Sequence, residues 1–198
     1  QISLYFFEQF EKLRQELEEL IFVFYSNDPA SKSEIEIILA YPGFLAIAIH
    51  RLANILYKLD TPILPRFFSE YAHSKTGIDI HPGATIGKNF YIDHGTGIVI
   101  GVTTLIGDNV NIYQGVTLGA FYVSKNLADK KRHPTIENNV TIYAGATILG
   151  GTTVIGENSV IGGNVWITES IEENSVVYQE NLPQIKKQKK EQHNNYII

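Results

Sequence analysis

Two short runs hold the residues best suited to chemistry. Asp79-Ile80-His81-Pro82 offers a carboxylate and an imidazole, and Tyr91-Ile92-Asp93-His94-Gly95-Thr96-Gly97 offers the same types ahead of a turn. A carboxylate beside an imidazole orients the ring and stabilises its protonated form, as a general base requires when it takes a proton from an alcohol. Asp93 adds an acidic group that can meet an ammonium. By residue type alone, both runs read equally well as turn residues. The remaining histidines are His50, His73, His133 and His193, and no His-x-x-x-His or His-x-x-x-x-His pair occurs. A zinc site draws on closely spaced ligands, so no metal site is expected. The chain has no cysteine, which excludes disulfides and thiolate ligands.

Two kinds of element must position these groups. Residues 1–76 carry apolar residues at three- and four-residue steps, among them Phe10, Leu13, Leu17, Leu20, Ile21 and Phe24, and read as a helical domain. Ser26-Asn27-Asp28-Pro29 breaks the first helix. Ser31 or Ser33 can cap a second, which Pro42-Gly43 is expected to stop. A third runs from about Phe44 to Leu59, and a fourth from Thr61-Pro62 to about Gly77.

From Ile78 the period becomes six. Ile80, Ile86 and Ile92 are followed by Ile100, Ile106, Ile112 and Leu118, then Ile136, Ile142 and Ile148, then Ile155, Ile161 and Ile167. Four places later stand mostly small or β-branched residues, including Ala84, Thr96, Thr104, Val110, Val140, Thr152 and Val165. A hexapeptide cannot bury its aliphatic alone, so the pattern requires stacked short strands: a solenoid over residues 77–178. The insertion 119–135 is a loop thrown out of that solenoid, ending in Lys131-Arg132-His133-Pro134. Residues 179–198 are polar and lysine-rich and read as a flexible tail. The net charge of −5 argues against nucleic acid, and no apolar run is long enough for a membrane span. With no secretory signal, a cytoplasmic enzyme is expected. The chain starts at Gln1 and lacks methionine, which reads as a trimmed N-terminus.

The repeats resemble the hexapeptide-repeat acyltransferases. That resemblance implies a mainly β chain, a left-handed parallel β-helix of triangular section behind the helical domain. With three hexapeptides per coil, Asp79 and His94 fall on adjacent coils. The runs Asp79 to Gly87, Ile92 to Gly101, Gln114-Gly115-Val116-Thr117-Leu118-Gly119 and Arg132-His133-Pro134, with Asp28-Pro29-Ala30 and Gly43-Phe44 upstream, resemble one family in particular, serine O-acetyltransferase. This implies transfer of acetyl from acetyl-CoA, a co-substrate, to L-serine, with no bound cofactor. It implies His94 as general base with Asp79 as its partner, and Asp28 and Asp93 on the serine amino group. It implies Arg132 on the serine carboxylate, for which its planar fork is suited, with His133 beside it. Ala144 and Gly145 stand where backbone groups hold the pantetheine arm, and Gly119 and Ala120 stand near the thioester. A homotrimer or a pair of trimers is implied. So is capture of the C-terminal Ile198 by O-acetylserine sulfhydrylase.

Some positions depart from the family pattern. Ala120 replaces a glycine, Gly101-Val102-Thr103 stands for Gly-Glu-Thr, and the loop before Arg132 is longer than usual. Glu180-Asn181-Leu182-Pro183 stands where a Gly-x-Pro-Ala motif holds the CoA adenine and phosphate, and Lys186 to Lys190 can take over that contact. A sugar acetyltransferase, a metal-dependent lyase and a non-catalytic scaffold on the same repeats are the competing readings.

Overall fold

The computed structural model of the chain describes residues 2–121 and 130–180. Four helices come first. α1 (Ile2–Asn27) buries Leu13, Leu20 and Phe24 on one side and leaves Phe22 exposed on the other. α2 (Glu34–Ala40) opens on Ser33, whose hydroxyl accepts the Glu36 N–H at 3.2 Å. Pro42 does not stop the chain here. It begins α3 (Pro42–Lys58), because a first-turn residue needs no amide hydrogen. α4 (Leu64–Thr76) ends on Gly77, a left-handed cap with φ 70° whose N–H donates to the His73 carbonyl at 2.8 Å.

Among the described residues, fourteen short parallel strands follow and wind into stacked coils. β1 (Asp79–Ile80), β2 (Thr85–Ile86) and β3 (Tyr91–Asp93) make the first coil, and β4 (Val99–Ile100), β5 (Leu105–Ile106) and β6 (Asn111–Tyr113) the second. β7 (Thr117–Gly119), β8 (Thr135–Ile136) and β9 (Thr141–Ile142) make the third, and β10 (Thr147–Leu149), β11 (Val154–Ile155) and β12 (Val160–Ile161) the fourth. β13 (Trp166–Ile167) and β14 (Val176–Val177) form an incomplete fifth coil, with only an isolated bridge from Ile155 to Ile171 on its middle side. The first face is β1-β4-β7-β10-β13, the second β2-β5-β8-β11, and the third β3-β6-β9-β12-β14.

The period-six aliphatics become three buried columns. Ile80, Ile100, Leu118, Ile148 and Ile167 are partners down the first face. Ile86, Ile106, Ile136 and Ile155 run down the second, and Ile92, Ile112, Ile142 and Ile161 down the third. The four-place rule fails twice. Thr96 and Thr152 are exposed, because extra residues in their turns pass the inner place to Ile98 and Thr153.

The helices close the top of the coil. A free strand edge on β2 would leave carbonyls unpaired. Arg51 of α3 donates instead to the carbonyls of Ile86, at 2.5 Å, and Gly87. Asn54 donates to those of Pro82 and Ala84 at 2.7 and 3.1 Å. Gly43 lets α3 sit directly on β3, since a Cβ there would meet the Ile92 carbonyl oxygen at 2.5 Å. No single described helix is long and apolar enough to cross a membrane.

The three edges of the prism differ. The edge between second and third faces is a ladder of left-handed asparagines, Asn89, Asn109, Asn139, Asn158 and Asn174, with φ between 54° and 59°. Their amides bond one to the next at 2.9, 3.1, 3.1 and 3.3 Å. The edge between third and first faces turns mainly on glycines, with Gly97 bonded to Gly77 O, Gly115 to Thr96 O and Gly145 to Gln114 O. The edge between first and second faces carries the insertion between β7 and β8.

Asn139 both accepts from Asn109 and donates to Asn158. Asn139→Ala loses these bonds and keeps a Cβ in a left-handed conformation that costs alanine about 1–2 kcal/mol. Asn139→Gly loses the bonds alone. Urea unfolding is therefore expected to rank the glycine variant above the alanine variant by about 1 kcal/mol.

Candidate active site

The glycine edge carries the first group of candidates. Asp93 ends β3, and His94 takes a left-handed turn, φ 55°, that pushes its ring outward to 73% exposure. Its Nε2 lies 3.8 Å from Asp93 Oδ1. Asp28, just past α1, accepts the Ala30 N–H at 2.8 Å and the Tyr41 hydroxyl at 2.5 Å. These two bonds hold its carboxyl below the usual range, the Tyr41 bond most strongly, with a further contribution from His94. The same bond and burial push Tyr41 up to about 12, and Asp93 adds to the rise. Burial raises Tyr91, and the charges of Asp93 and Asp28 raise it further. Asp28 and Asp93, 65 positions apart in the chain, therefore share one tyrosine-lined patch beside His94. Spacing gave no sign of Tyr41 or Tyr91. Tyr113 stands opposite Asp93 on the next coil, which coil register does show, and it stacks on Tyr143 at 5.0 Å.

The insertion edge carries the second group. The Thr103 hydroxyl accepts the backbone N–H groups of Arg132 at 3.0 Å and His133 at 3.1 Å. His133 Nδ1 in turn receives the Thr103 N–H at 3.2 Å and lies 2.8 Å from its hydroxyl. With both amides donating to Thr103 Oγ1, the hydroxyl proton is left for Nδ1, so the ring is fixed as its Nε2–H tautomer. The ring lies on Gly101, where a Cβ would stand 1.9 Å from His133 Cδ2. Burial, with the charges of Arg132 and Lys131, lowers His133 to about 4. His81 on the same edge is lowered to about 4 by burial first and by Arg66 and Arg132, against an opposing effect of Asp79. The retained Thr of Gly101-Val102-Thr103 thus anchors the end of the loop. Residues 122–129 of the insertion lie outside the described residues.

Asp79 joins neither group within one chain. Register places it opposite Val99, beyond the turn that holds His94, and it makes no hydrogen bond to that ring. Its carboxylate instead lies with Glu70 and His73 of α4, one ligand atom of each within 4.8 Å of the others. The CoA candidates also divide. Gly119 and Ala120 are on the insertion edge, and Ala144 and Gly145 are on the glycine edge. There the Gly145 N–H already serves Gln114 O and the Ala144 carbonyl accepts the Asn164 N–H, both at 2.9 Å.

No family model matches the chain. Known proteins do. The plasmid-borne serine acetyltransferase of Synechococcus elongatus is 48% identical over 160 residues, 78% of this chain and 50% of that protein. Serine acetyltransferase isoform 3 of Entamoeba histolytica, solved with cysteine, superposes with a TM-score of 0.84 at 45% identity over 92% of this chain and 64% of that one. The serine acetyltransferase of Neisseria gonorrhoeae, solved with serine, gives a TM-score of 0.80 at 31% identity, covering 92% of this chain and 73% of that one. The chain belongs to the serine acetyltransferase family. Its coil is the left-handed β-helix of serine acetyltransferases. The chain spans about half the length of the Synechococcus serine acetyltransferase.

Within this serine acetyltransferase framework His133 is a neutral donor. The unfolded ring takes a proton near 6.5 and the folded one refuses it until about 4. Its contribution to stability is therefore present above about 6.5 and is lost as pH falls from 6.5 towards 4. Nitrogen NMR is expected to show the Nε2–H form of His133 unchanged from pH 8 to about pH 5. In Gly101→Ala the displaced ring is expected to titrate nearer 6.5.

Proposed function

We propose that the chain is the catalytic part of a serine O-acetyltransferase, acting from acetyl-CoA on L-serine in the cytoplasm. The observation that carries this reading is the pairing of Asp28 and Asp93 beside an exposed His94. Two carboxylates suit an ammonium, and His94 stands next to them to take the hydroxyl proton. Arg132, with the neutral His133 beside it, suits a carboxylate. A sugar alcohol offers neither charge.

His94 and Arg132 lie on different edges of one prism. The reading therefore joins the glycine edge of one copy to the insertion edge of another, as in a trimer or a pair of trimers. Serine would then lie between Asp28, Asp93 and His94 of one subunit and Arg132 and His133 of the next. Ala144-Gly145 and Gly119-Ala120 would face the same cleft from the two sides, one pair on the pantetheine arm and the other near the thioester.

In the proposed reaction His94 removes the proton from the serine hydroxyl while the oxygen attacks the thioester carbonyl carbon. The tetrahedral intermediate collapses, the carbon–sulfur bond breaks, and the departing thiolate takes the proton back from His94. The products are O-acetylserine and CoA. Asp79 would orient the His94 ring across the cleft between subunits, since within one chain register carries it past the turn that holds His94. The absence of cysteine favours direct transfer over a cysteine-linked acyl-enzyme. Ile198 would offer its C-terminus to O-acetylserine sulfhydrylase, and Lys186 to Lys190 would meet the CoA phosphates; both lie outside the described residues.

Thiol release from acetyl-CoA is expected with L-serine and not with a galactoside. His94→Ala is expected to lower kcat by about 100-fold or more. Release only with the sugar would overturn the substrate. Mixing His94→Ala with Arg132→Ala, followed by subunit exchange, is expected to restore part of the activity, because some clefts then regain both edges. No recovery after proven exchange would place the site within one chain.

A further inference from the structure

The geometry points to His73 as a positioning residue that holds the Asp79 carboxylate, through a charged row carried on α4. This inference rests on the proposed role of Asp79 in serving His94.

Arg66, Glu70 and His73 stand at i, i+4 and i+7, on one face of the helix. Arg66 Nη2 lies 2.5 Å from Glu70 Oε1, and His73 Nδ1 lies 3.6 Å from Glu70 Oε2. Asp79 lies beside this pair: one polar atom each of Glu70, His73 and Asp79 lie within 4.8 Å of one another, His73 approaching Glu70 the more closely. The row therefore alternates in sign from Arg66 to Asp79 when His73 carries its proton.

The joint between helix and strand fixes this arrangement. Gly77 N–H caps the His73 carbonyl itself. The Thr76 hydroxyl donates to the Ala72 carbonyl at 2.7 Å and accepts the Ile78 N–H at 3.1 Å. Asp79 N–H then enters the coil ladder at Ile98 O, 2.9 Å. Only the cap and Ile78 separate the helix from β1, so the backbone holds His73 and Asp79 at a set separation. The ring also sits in the last turn of α4, where the carbonyl end of the helix favours positive charge.

Without a cation between them, Glu70 and Asp79 would be two carboxylates facing each other. Like charges that close repel, and a positive His73 beside both offsets that repulsion. One oxygen can face His73 while the other stays available to the His94 ring, because an ionised carboxylate offers about four acceptor positions. The other charged groups near the row are Lys75 on α4, whose ammonium lies over the Tyr71 ring at 5.8 Å, and His81 on the strand side, which responds to both Asp79 and Arg66.

The test uses the full chain and serine-dependent thiol release with wild type, His94→Ala, Asp79→Asn, His73→Gln, His73→Arg and Glu70→Gln. His73→Gln is expected to lower kcat about 10-fold with KM for serine within about 2-fold, since the loss falls on the chemical step. His73→Arg keeps the charge and is expected to hold kcat within about 3-fold of wild type. Melting temperatures should be unchanged, as His73 is 44% exposed. Wild-type kcat in His73→Gln, with Asp79→Asn impaired, would overturn the clamp. So would equal losses in His73→Gln and His73→Arg. Activity lost on chelation and restored by zinc would also overturn it, by making the three donors a cation site. Full activity in Asp79→Asn would remove the role of Asp79, and no release by wild type would remove the functional reading; either takes the clamp with it.

Discussion

Everything in this protein depends on stacking strands too short to stand alone. Each is two or three residues long and finds its hydrogen bonds only on the coils above and below. Register is therefore absolute. An aliphatic one place out of step would leave its buried column and point to solvent. The columns of isoleucine hold the register from inside, and the asparagine ladder holds it from one edge. The top coil has no strand above it, and Arg51 and Asn54 of α3 supply the missing donors. The helical part is thus the lid of the coil as well as its neighbour.

That rigidity explains how the polar groups are distributed. A column of side chains facing inward leaves function only the outer faces and the edges. One edge is filled by asparagines. The other two receive the candidates, acids and His94 on the glycine edge, Arg132 and His133 on the insertion edge. No flexing of a close-packed prism brings two edges together. On the proposed reading, a substrate that needs both is met by two copies, each presenting His94 to one neighbour and Arg132 to the other.

The period of six made the coil legible, because each hexapeptide repeats the same burial problem. The helices were legible in outline from their apolar spacing. The start of α3 at Pro42 was not, since Pro-Gly serves equally to end one helix or to begin another. Thr96 and Thr152 were misplaced for a related reason: added residues in a turn change which neighbour points inward. In the candidate site, the residue runs identified Asp93, His94, Arg132 and His133 by type. The tyrosines around Asp28 were hidden, because their proximity depends on how α1 and α3 dock on β3. The company of Asp79 was hidden too. Its spacing from His94 predicts adjacent coils, but the first coil step is 20 residues, so His94 falls in the turn that closes Asp79's own coil and Asp79 stands opposite Val99 instead.

The seat of His133 has a consequence for how such a chain can vary. Thr103 and Gly101 belong to the coil, and they grip the last residues of the insertion without reference to what precedes them. Residues can be added to or removed from the middle of that excursion while the working end stays registered to the scaffold. The length of that span is free to change, whereas Gly101, Thr103 and Gly151, which seat Lys131 to His133 on the coil, are not free to be replaced.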